Sequence, residues 1–490
     1  MPLKLRRLEY KWIVGIVFVF GLFMDLLDMT ITNVALPTLS KDFHVGTTTI
    51  EWVVTAYLLS LAVFIPVSGW MGDRFGTKKV FLFALAMFTA SSFLCGLAWN
   101  IQSLIAFRTL QGVGGGMLTP VGTAMLFRAF PPAERAAAGA LLTIPTVVAP
   151  ASGPVLGGYL VEFQSWRWIF WINLPVGILG LIVAYLFLRE EVQAKPGRFD
   201  VPGFVLSGTG LASLLYALSQ AGAHSFTDTR VLVFGLAGLA LLGLFAIVEL
   251  RTPEPMIDVR LLSNKLFRAT NMVQLLGFGG LMGALFLLPL LLQSEMGLSP
   301  FQSGLTTFPQ AFGVVITAQI AGRLYGRIGP RRMLMFGSFG AMLSTLCFLA
   351  VQLDTSQWWI RLIMFGRGMG FAFMLVPLQT ATYATIRPQD TGRASAIYNA
   401  GRQVAASFGV ALLATVLSNR LAHHGAQLGN PSTAHGALLS FHEAFFAAAV
   451  LAALGIFLSL LVDDKEAVGT MRQRAGTATR SEEPVIAGAD

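Results

Sequence analysis

Apolar runs of about twenty residues recur along almost the whole of this chain of 490 residues, and no other feature limits its fold so tightly. An α-helix rises about 1.5 Å per residue, so such a run crosses a hydrocarbon layer of about 30 Å while satisfying its backbone amides internally. In order, the runs place helices at 13–37, 50–71, 79–99, 102–128, 136–161, 167–188, 203–220, 230–250, 267–293, 303–325, 332–352, 358–384, 393–418 and 443–462. The expected class is an all-α polytopic membrane protein with fourteen transmembrane helices. Hydrophobic residues at 55% and charged residues at 12% agree with it. The first run is too long for a signal-peptide core and no small-residue cleavage site follows it, so it reads as a retained helix. Cys95 and Cys347 both lie inside apolar runs, which argues against a disulfide framework or a thiolate metal site.

The basic residues orient the helices. Of the 34 Lys and Arg, 26 fall in the terminal segments and alternate loops on their side, from Lys4 to Arg480. Five (Lys41, Arg167, Arg230, Arg361, Arg420) fall in the opposite loops, and three (Arg108, Arg367, Arg402) fall within helices. This asymmetry predicts both termini in the cytoplasm of a multi-pass protein of the cell (inner) membrane. It also accounts for the net charge of +9 as short basic loops beside anionic lipid, so no nucleic-acid partner is expected. Residues 1–12 form a cytoplasmic N-terminus, and 463–490, polar and small, read as a disordered cytoplasmic tail.

Within the first run, Asp25 and Asp28 interrupt the apolar sequence. A carboxylate at membrane depth costs several kcal/mol unless paired, hydrated or protonated, so it marks a cavity or ion path. Asp25, Asp28 and Thr32 share one helix face at the spacing i, i+3, i+7. At least one of the two aspartates is expected to titrate during function.

The chain also repeats itself. Gly69-Trp-Met-Gly-Asp73-Arg74-Phe-Gly76-Thr-Lys78-Lys79 aligns without a gap on Gly322-Arg-Leu-Tyr-Gly326-Arg327-Ile-Gly329-Pro-Arg331-Arg332, 253 residues later. Leu104–Phe107 before Gly112 matches Leu362–Phe365 before Gly368, and Pro132-Ala-Glu134 matches Pro388-Gln-Asp390. Two parallel six-helix bundles are expected, at 13–190 and 267–462, with a two-helix insert at 191–266 between them. Transporters built this way keep a central site between the halves and open it to alternate sides.

At these motifs the sequence resembles the major facilitator superfamily, and within it the 14-helix drug:proton antiporters, the EmrB- and QacA-like multidrug exporters. Gly69 to Lys79 is similar to the superfamily's loop between helices 2 and 3, which implies a latch made by Gly69, Asp73, Arg74, Gly76 and Lys78. Leu27-Asp28-Met-Thr30-Ile-Thr-Asn33-Val-Ala-Leu36-Pro37 resembles the first-helix signature of the exporters and favours Asp28 over Asp25. Arg108-Thr-Leu-Gln111-Gly112 resembles the fourth-helix motif linked to proton transfer. An arginine beside a carboxylate favours its charged form and dry surroundings favour the neutral one, so a switch between the two would move a proton. Pro150, Gly153, Pro154, Gly157 and Gly158 resemble the fifth-helix antiporter motif, in which small residues permit close helix approach and prolines bend the helix. Asn399-Ala-Gly-Arg402-Gln403 resembles a pattern of the 14-helix branch.

The resemblance implies a proton-coupled antiporter that exports amphipathic, drug-like organic compounds. Asp28, Asp25 and Arg108 would couple protons, and Thr32, Gln111, Asn399 and Arg402 would line the substrate cavity. Protons as coupling ion are the only cofactor expected. Small-molecule substrates and membrane lipids are the partners, the protein is monomeric, and a periplasmic adaptor has no sequence signal. Rival readings are an exporter of anionic metabolites or lipids, which the three intramembrane arginines favour, and a scaffold or receptor on the same fold. No nucleophile–base or metal constellation and no phosphate-binding glycine loop occurs, so neither an enzyme nor an ATP-driven pump is expected. Trp99, Trp166, Trp168, Trp358 and Trp359 read as interfacial belts.

Overall fold

The computed structural model describes residues 9–45, 47–190, 198–224 and 226–471. Its long helices are α1 (Tyr10–Asp42), α2 (Trp52–Phe75), α3 (Thr77–Gly96), α4 (Ile101–Ala129), α5 (Arg135–Phe163), α6 (Asn173–Phe187), α7 (Val201–His224) and α8 (Thr229–Arg251). There follow α9 (Lys265–Leu290), α10 (Pro309–Ile328), α11 (Pro330–Leu346), α12 (Gln357–Thr382), α13 (Thr391–His423) and α14 (Ala434–Ser459). Among the described residues, 12 helical segments are long and apolar enough to cross a membrane, against the fourteen expected. The two that fall short are α4, with Gln102, Arg108, Gln111 and three consecutive glycines at 114–116, and α10, with Gln310, Gln319 and Arg323. Arg108, Gln111 and Gln310 among these are buried, whereas Gln102, Gln319 and Arg323 are exposed.

Two boundaries move. α1 extends beyond 13–37 at both ends, and α14 begins at Ala434 rather than 443, so His442 and Glu443 lie inside a helix.

Lipid tails are as apolar as leucine, so these helices gain chiefly from tight mutual packing. One core, including Phe18, Leu22, Phe81, Phe88, Leu118 and Phe127, ties α1 to α3, α4 and their neighbours. Val273, Leu281, Val314, Leu334 and Met374 form a second in the later half. α7 bridges the halves: Leu211 and Leu215 pack with Ala62 of α2, while Ala217 and Ala221 pack with Ala411 of α13. Thr415 Oγ1 donates to the Ala221 carbonyl at 3.0 Å. α8 packs on α7 and leaves Leu232, Val233, Leu236 and Leu239 exposed, as a lipid-facing helix does.

The sequence repeat reappears as geometry. Gly76 (φ 97°) and Gly329 (φ 84°) make equivalent left-handed turns into α3 and α11, a conformation natural to glycine. A carboxylate then caps each following helix: Glu190 accepts from the Lys78 amide at 3.1 Å, and Asp464 from the Arg331 amide at 2.8 Å. The second cap corrects the expected tail. Residues 463–471 are built onto the protein, with Glu466 accepting from the Leu266 amide at 3.1 Å and Thr470 Oγ1 bonded to Tyr325 Oη at 2.9 Å. Residues 472–490 lie outside the described residues, as do 1–8.

Lys11 Nζ pairs with Glu134 Oε2 at 2.6 Å, and the turn Pro132–Glu134 sits beside Val468–Thr470. Both described ends of the chain therefore meet at one face, the terminal face.

Candidate functional site

Asp28 sits in the middle of a closed polar cluster within the first half. Its side chain has no solvent exposure and neither does that of Arg108. Arg108 Nη1 donates to Asp28 Oδ2, while Gln111 Nε2 and Asn173 Nδ2 donate to Asp28 Oδ1 at 2.9 and 3.2 Å. Arg108 is held in turn by the Val53 carbonyl at 3.1 Å, by Gln111 Oε1 at 2.8 Å and by the Tyr57 ring, 4.3 Å from its guanidinium carbon. Ser92 supports Asn173 at 3.1 Å. Five helices, α1, α2, α3, α4 and α6, thus converge on one ion pair. Such a pair contributes little net stability, but removing one partner leaves an uncompensated buried charge.

Asp25, one turn away and 3% exposed, has different partners. Tyr57 Oη donates to Asp25 Oδ1 at 2.5 Å and Thr119 Oγ1 to Oδ2 at 3.0 Å. Among the described residues no cation bonds it, although Arg402 of α13 lies within electrostatic reach across the gap between the halves. Tyr57 joins the two acids: its hydroxyl serves Asp25 and its ring serves Arg108.

Asn399 and Arg402 line a cavity between the halves, together with Phe127, Gln379, Tyr383 and Tyr398. Its volume is about 10 Å³, room for about one water molecule. Thr32 and Gln111, expected beside them, are not there. Thr32 is buried with its hydroxyl on the Asp28 carbonyl at 2.8 Å, and Gln111 belongs to the ion-pair cluster. Both share the aspartates' helical phase or motif, but that phase points into the first half's own interior.

The halves are pressed together at the terminal face. A Cβ at Gly69 would lie 2.9 Å from the Gly392 carbonyl oxygen, so α2 and α13 touch backbone to backbone. A Cβ at the repeat-related Gly322 of α10 would lie 3.2 Å from the Ala140 methyl and 3.4 Å from the Ala136 carbonyl oxygen of α5, a looser contact. Asp73 pairs with Arg128 at 2.9 Å, and Arg128 Nε reaches the Pro388 carbonyl of the other half at 3.2 Å. Arg135 Nη1 donates to the Tyr383 carbonyl, Ser395 Oγ to the Pro120 carbonyl at 2.7 Å, and Phe127 stacks on Tyr383 at 4.4 Å. Gly76 shapes the turn, but Arg74 is exposed, and Lys78 bonds the Tyr185 carbonyl at 2.7 Å inside its own half. Of the predicted latch, Gly69 and Asp73 meet the seam. Arg128 and Arg135 complete it; sequence reasoning counted them only as loop charges.

On α5, a Cβ at Gly153 would lie 2.2 Å from Thr30 Oγ1, and one at Gly157 3.0 Å from Ile31, so this face lies directly on α1. Pro154 and Gly158 meet the second half at Gly304 and Phe301. Pro150 is buried within the same helix. Trp166 is no belt residue: it is 2% exposed and donates from Nε1 to Asp42 at 2.7 Å.

The family profile of the Major Facilitator Superfamily matches residues 18–410. The chain belongs to the major facilitator superfamily. It is 37% identical over 404 residues to a multidrug resistance protein B homolog of Mycobacterium tuberculosis, covering 81% of this chain and 74% of that one. It is 33% identical over 418 residues to the MFS-type transporter YhcA of Bacillus subtilis, covering 85% and 79%. The solved structure of the proton:xylose symporter XylE superposes with a TM-score of 0.65 at 14% identity, over 94% of this chain and 98% of that chain, a likeness of fold. This major facilitator protein is thus a multi-pass membrane transporter and not an enzyme.

Proposed function

We propose that this transporter is a proton-coupled antiporter exporting amphipathic, drug-like organic compounds. In this reading α4 and α10 also cross the membrane, giving fourteen spans, and the terminal face lies in the cytoplasm of the inner cell membrane. Protons are the coupling ion, no other cofactor is used, and the transporter acts as a monomer. The observation that carries the proposal is Asp25: an enclosed carboxyl group held by two hydroxyls, on which Arg402 of the other half acts electrostatically.

With a proton on Asp25, the halves carry no attraction between this site and Arg402. Loss of the proton leaves a carboxylate that Arg402 draws across the seam. Proton occupancy therefore biases the relative tilt of the halves, and cargo that separates them from the cytoplasmic side competes with the same contact. Asp28, saturated by three donors, holds Arg108 and through Tyr57 sets Asp25 in place. Asp25 thus becomes the stronger candidate for the carrier, and Asp28 its organiser. The cavity wall of Phe127, Tyr383, Tyr398 and Leu22 with Gln379 and Asn399 suits molecules with an apolar body and a polar edge. The name of the mycobacterial relative supports drugs as cargo.

The test uses proteoliposomes with an imposed pH gradient. Asp25→Asn is expected to abolish gradient-driven accumulation of cationic dyes while dye-for-dye exchange continues. Unchanged gradient-driven transport would refute the role. A second reading, export of anionic compounds, rests on Arg402 as the charged group in the cavity wall. Competition by a panel of cationic and anionic amphiphiles separates the two.

A further inference from the structure

The two halves handle their buried arginines differently. Arg367 lies on α12, the repeat counterpart of α4, but at another position: Gly112 and Gly368 meet the equivalent carbonyls of Tyr57 and Gln310, which sets Arg367 opposite Gln111, three residues from Arg108. Arg367 is 1% exposed. Among the described residues its side-chain hydrogen bond is to a neutral amide, Nη1 to Gln310 Oε1 at 3.2 Å; its guanidinium carbon lies 5.0 Å from the centre of the Phe371 ring, and its Nε has no partner. Among the described residues no carboxylate pairs with it. A guanidinium does not shed its proton, so the charge stays in the hydrocarbon interior.

The elements that supply the partners of Arg108 recur in the second half with apolar or neutral residues in their place. At the spacing of 253 residues Tyr57 falls opposite Gln310, Ser92 opposite Thr345, and Asp28 opposite Leu281, next to Gly280. At the spacing that relates Glu190 to Asp464, Asn173 falls opposite Ala447, next to Ala448. Thr345, Gly280, Ala448, Ser338 and Arg367 together line an internal cavity of about 10 Å³, the size of one water-sized occupant. Ser338 Oγ, 1% exposed, also lacks a partner. The second half thus buries an arginine with no carboxylate beside it, and an open cavity adjoins its side chain.

We propose that this cavity binds a single-atom inorganic anion, chloride in the cell, as the counterion of Arg367. The Arg367 guanidinium and the Ser338 hydroxyl supply the donors, and methyl and methylene groups exclude water from the remaining sides. The cavity is too small for a phosphate or a carboxylate-bearing cargo, so the site is separate from the central cavity and independent of the coupling proposed above.

The experiment compares thermal unfolding of the full-length protein in nanodiscs in chloride, bromide and gluconate at fixed ionic strength, with ³⁵Cl line broadening as a direct binding readout. Chloride and bromide are expected to raise the melting temperature saturably relative to gluconate, with matching line broadening. Arg367→Gln loses both responses. Gly280→Asp places a carboxylate at the site; a Cβ there meets nothing closer than 3.7 Å. This variant is expected to lose the chloride dependence while melting in gluconate at or above the wild type, which keeps the test open if Arg367→Gln does not fold. Overturning results are a wild type indifferent to halide, a halide response retained in Gly280→Asp, or a Gly280→Asp protein less stable than wild type in gluconate.

Discussion

Replacing Asp28 by Asn tests whether the first half is organised around a single ion pair. The substitution preserves shape but removes the charge opposite Arg108 and sets a new amide against a cluster already supplied with donors from Arg108, Gln111 and Asn173. Arg108 Nη2 has no partner to begin with, so the guanidinium has no reserve of acceptors. Breaking a fully buried pair from one side costs about 3–5 kcal/mol. At about 2–4 °C per kcal/mol for a unit of this size, the melting temperature should fall by about 6–20 °C. Arg108→Gln should fall comparably. The double variant, with both charges gone, should be more stable than the sum of the two losses by about 1–3 kcal/mol. Melting curves of the four proteins in one nanodisc preparation measure this. A single Asp28→Asn variant within a degree or two of wild type, or strictly additive losses, would refute the account.

Asp73→Asn should loosen the terminal face. In a background lacking Cys95 and Cys347, a Ser395→Cys probe, buried at the seam, should then react with an impermeant maleimide applied at the terminal face about tenfold faster, matching about 1.4 kcal/mol of lost closure. Gly69→Ala should act in the same direction, since its Cβ cannot pass the Gly392 carbonyl, and an unchanged labelling rate would argue against this seam. Gly153→Val should cost about 1–3 kcal/mol by driving α5 off Thr30 of α1, read as a lower melting temperature and reduced efflux. Truncation after Met471 should leave stability unchanged, whereas truncation after Val462 removes the Asp464 cap and the Thr470–Tyr325 bond and should cost about 1–3 kcal/mol.

Apolar run lengths disclosed nearly every helix, because crossing a bilayer leaves one solution for the backbone. They misplaced ends where the helix continues past the hydrocarbon, as at Asp42 and Ala434, since nothing in hydropathy marks a helix that outlasts the bilayer. Asp28, Arg108, Asp73 and Gly69 were legible because a buried charge or a forced close contact leaves few alternative residues. Tyr57 and Asn173 were not: each looks like one more member of an apolar run until the fold brings it beside a carboxylate 32 or 145 positions away. Thr32 and Gln111 show the opposite error. Helical phase identified their neighbours correctly but could not tell the interior of one half from the space between the two. Asp464 was misread as tail because the partner that orders it, the start of α11, lies 133 residues back.

The position of α7 has a consequence for how cargo arrives. By lying against both α2 and α13, it covers one flank of the seam between the halves, and in the proposed cycle it would have to slide on at least one of them. On the far flank α5 and α10 close directly on each other, Gly322 against Ala136 and Ala140, so in the proposed cycle membrane-dissolved cargo would find a doorway there only when these two helices part. A bulky residue on the lipid side of that doorway should discriminate against membrane-partitioned cargo while sparing cargo that enters from water.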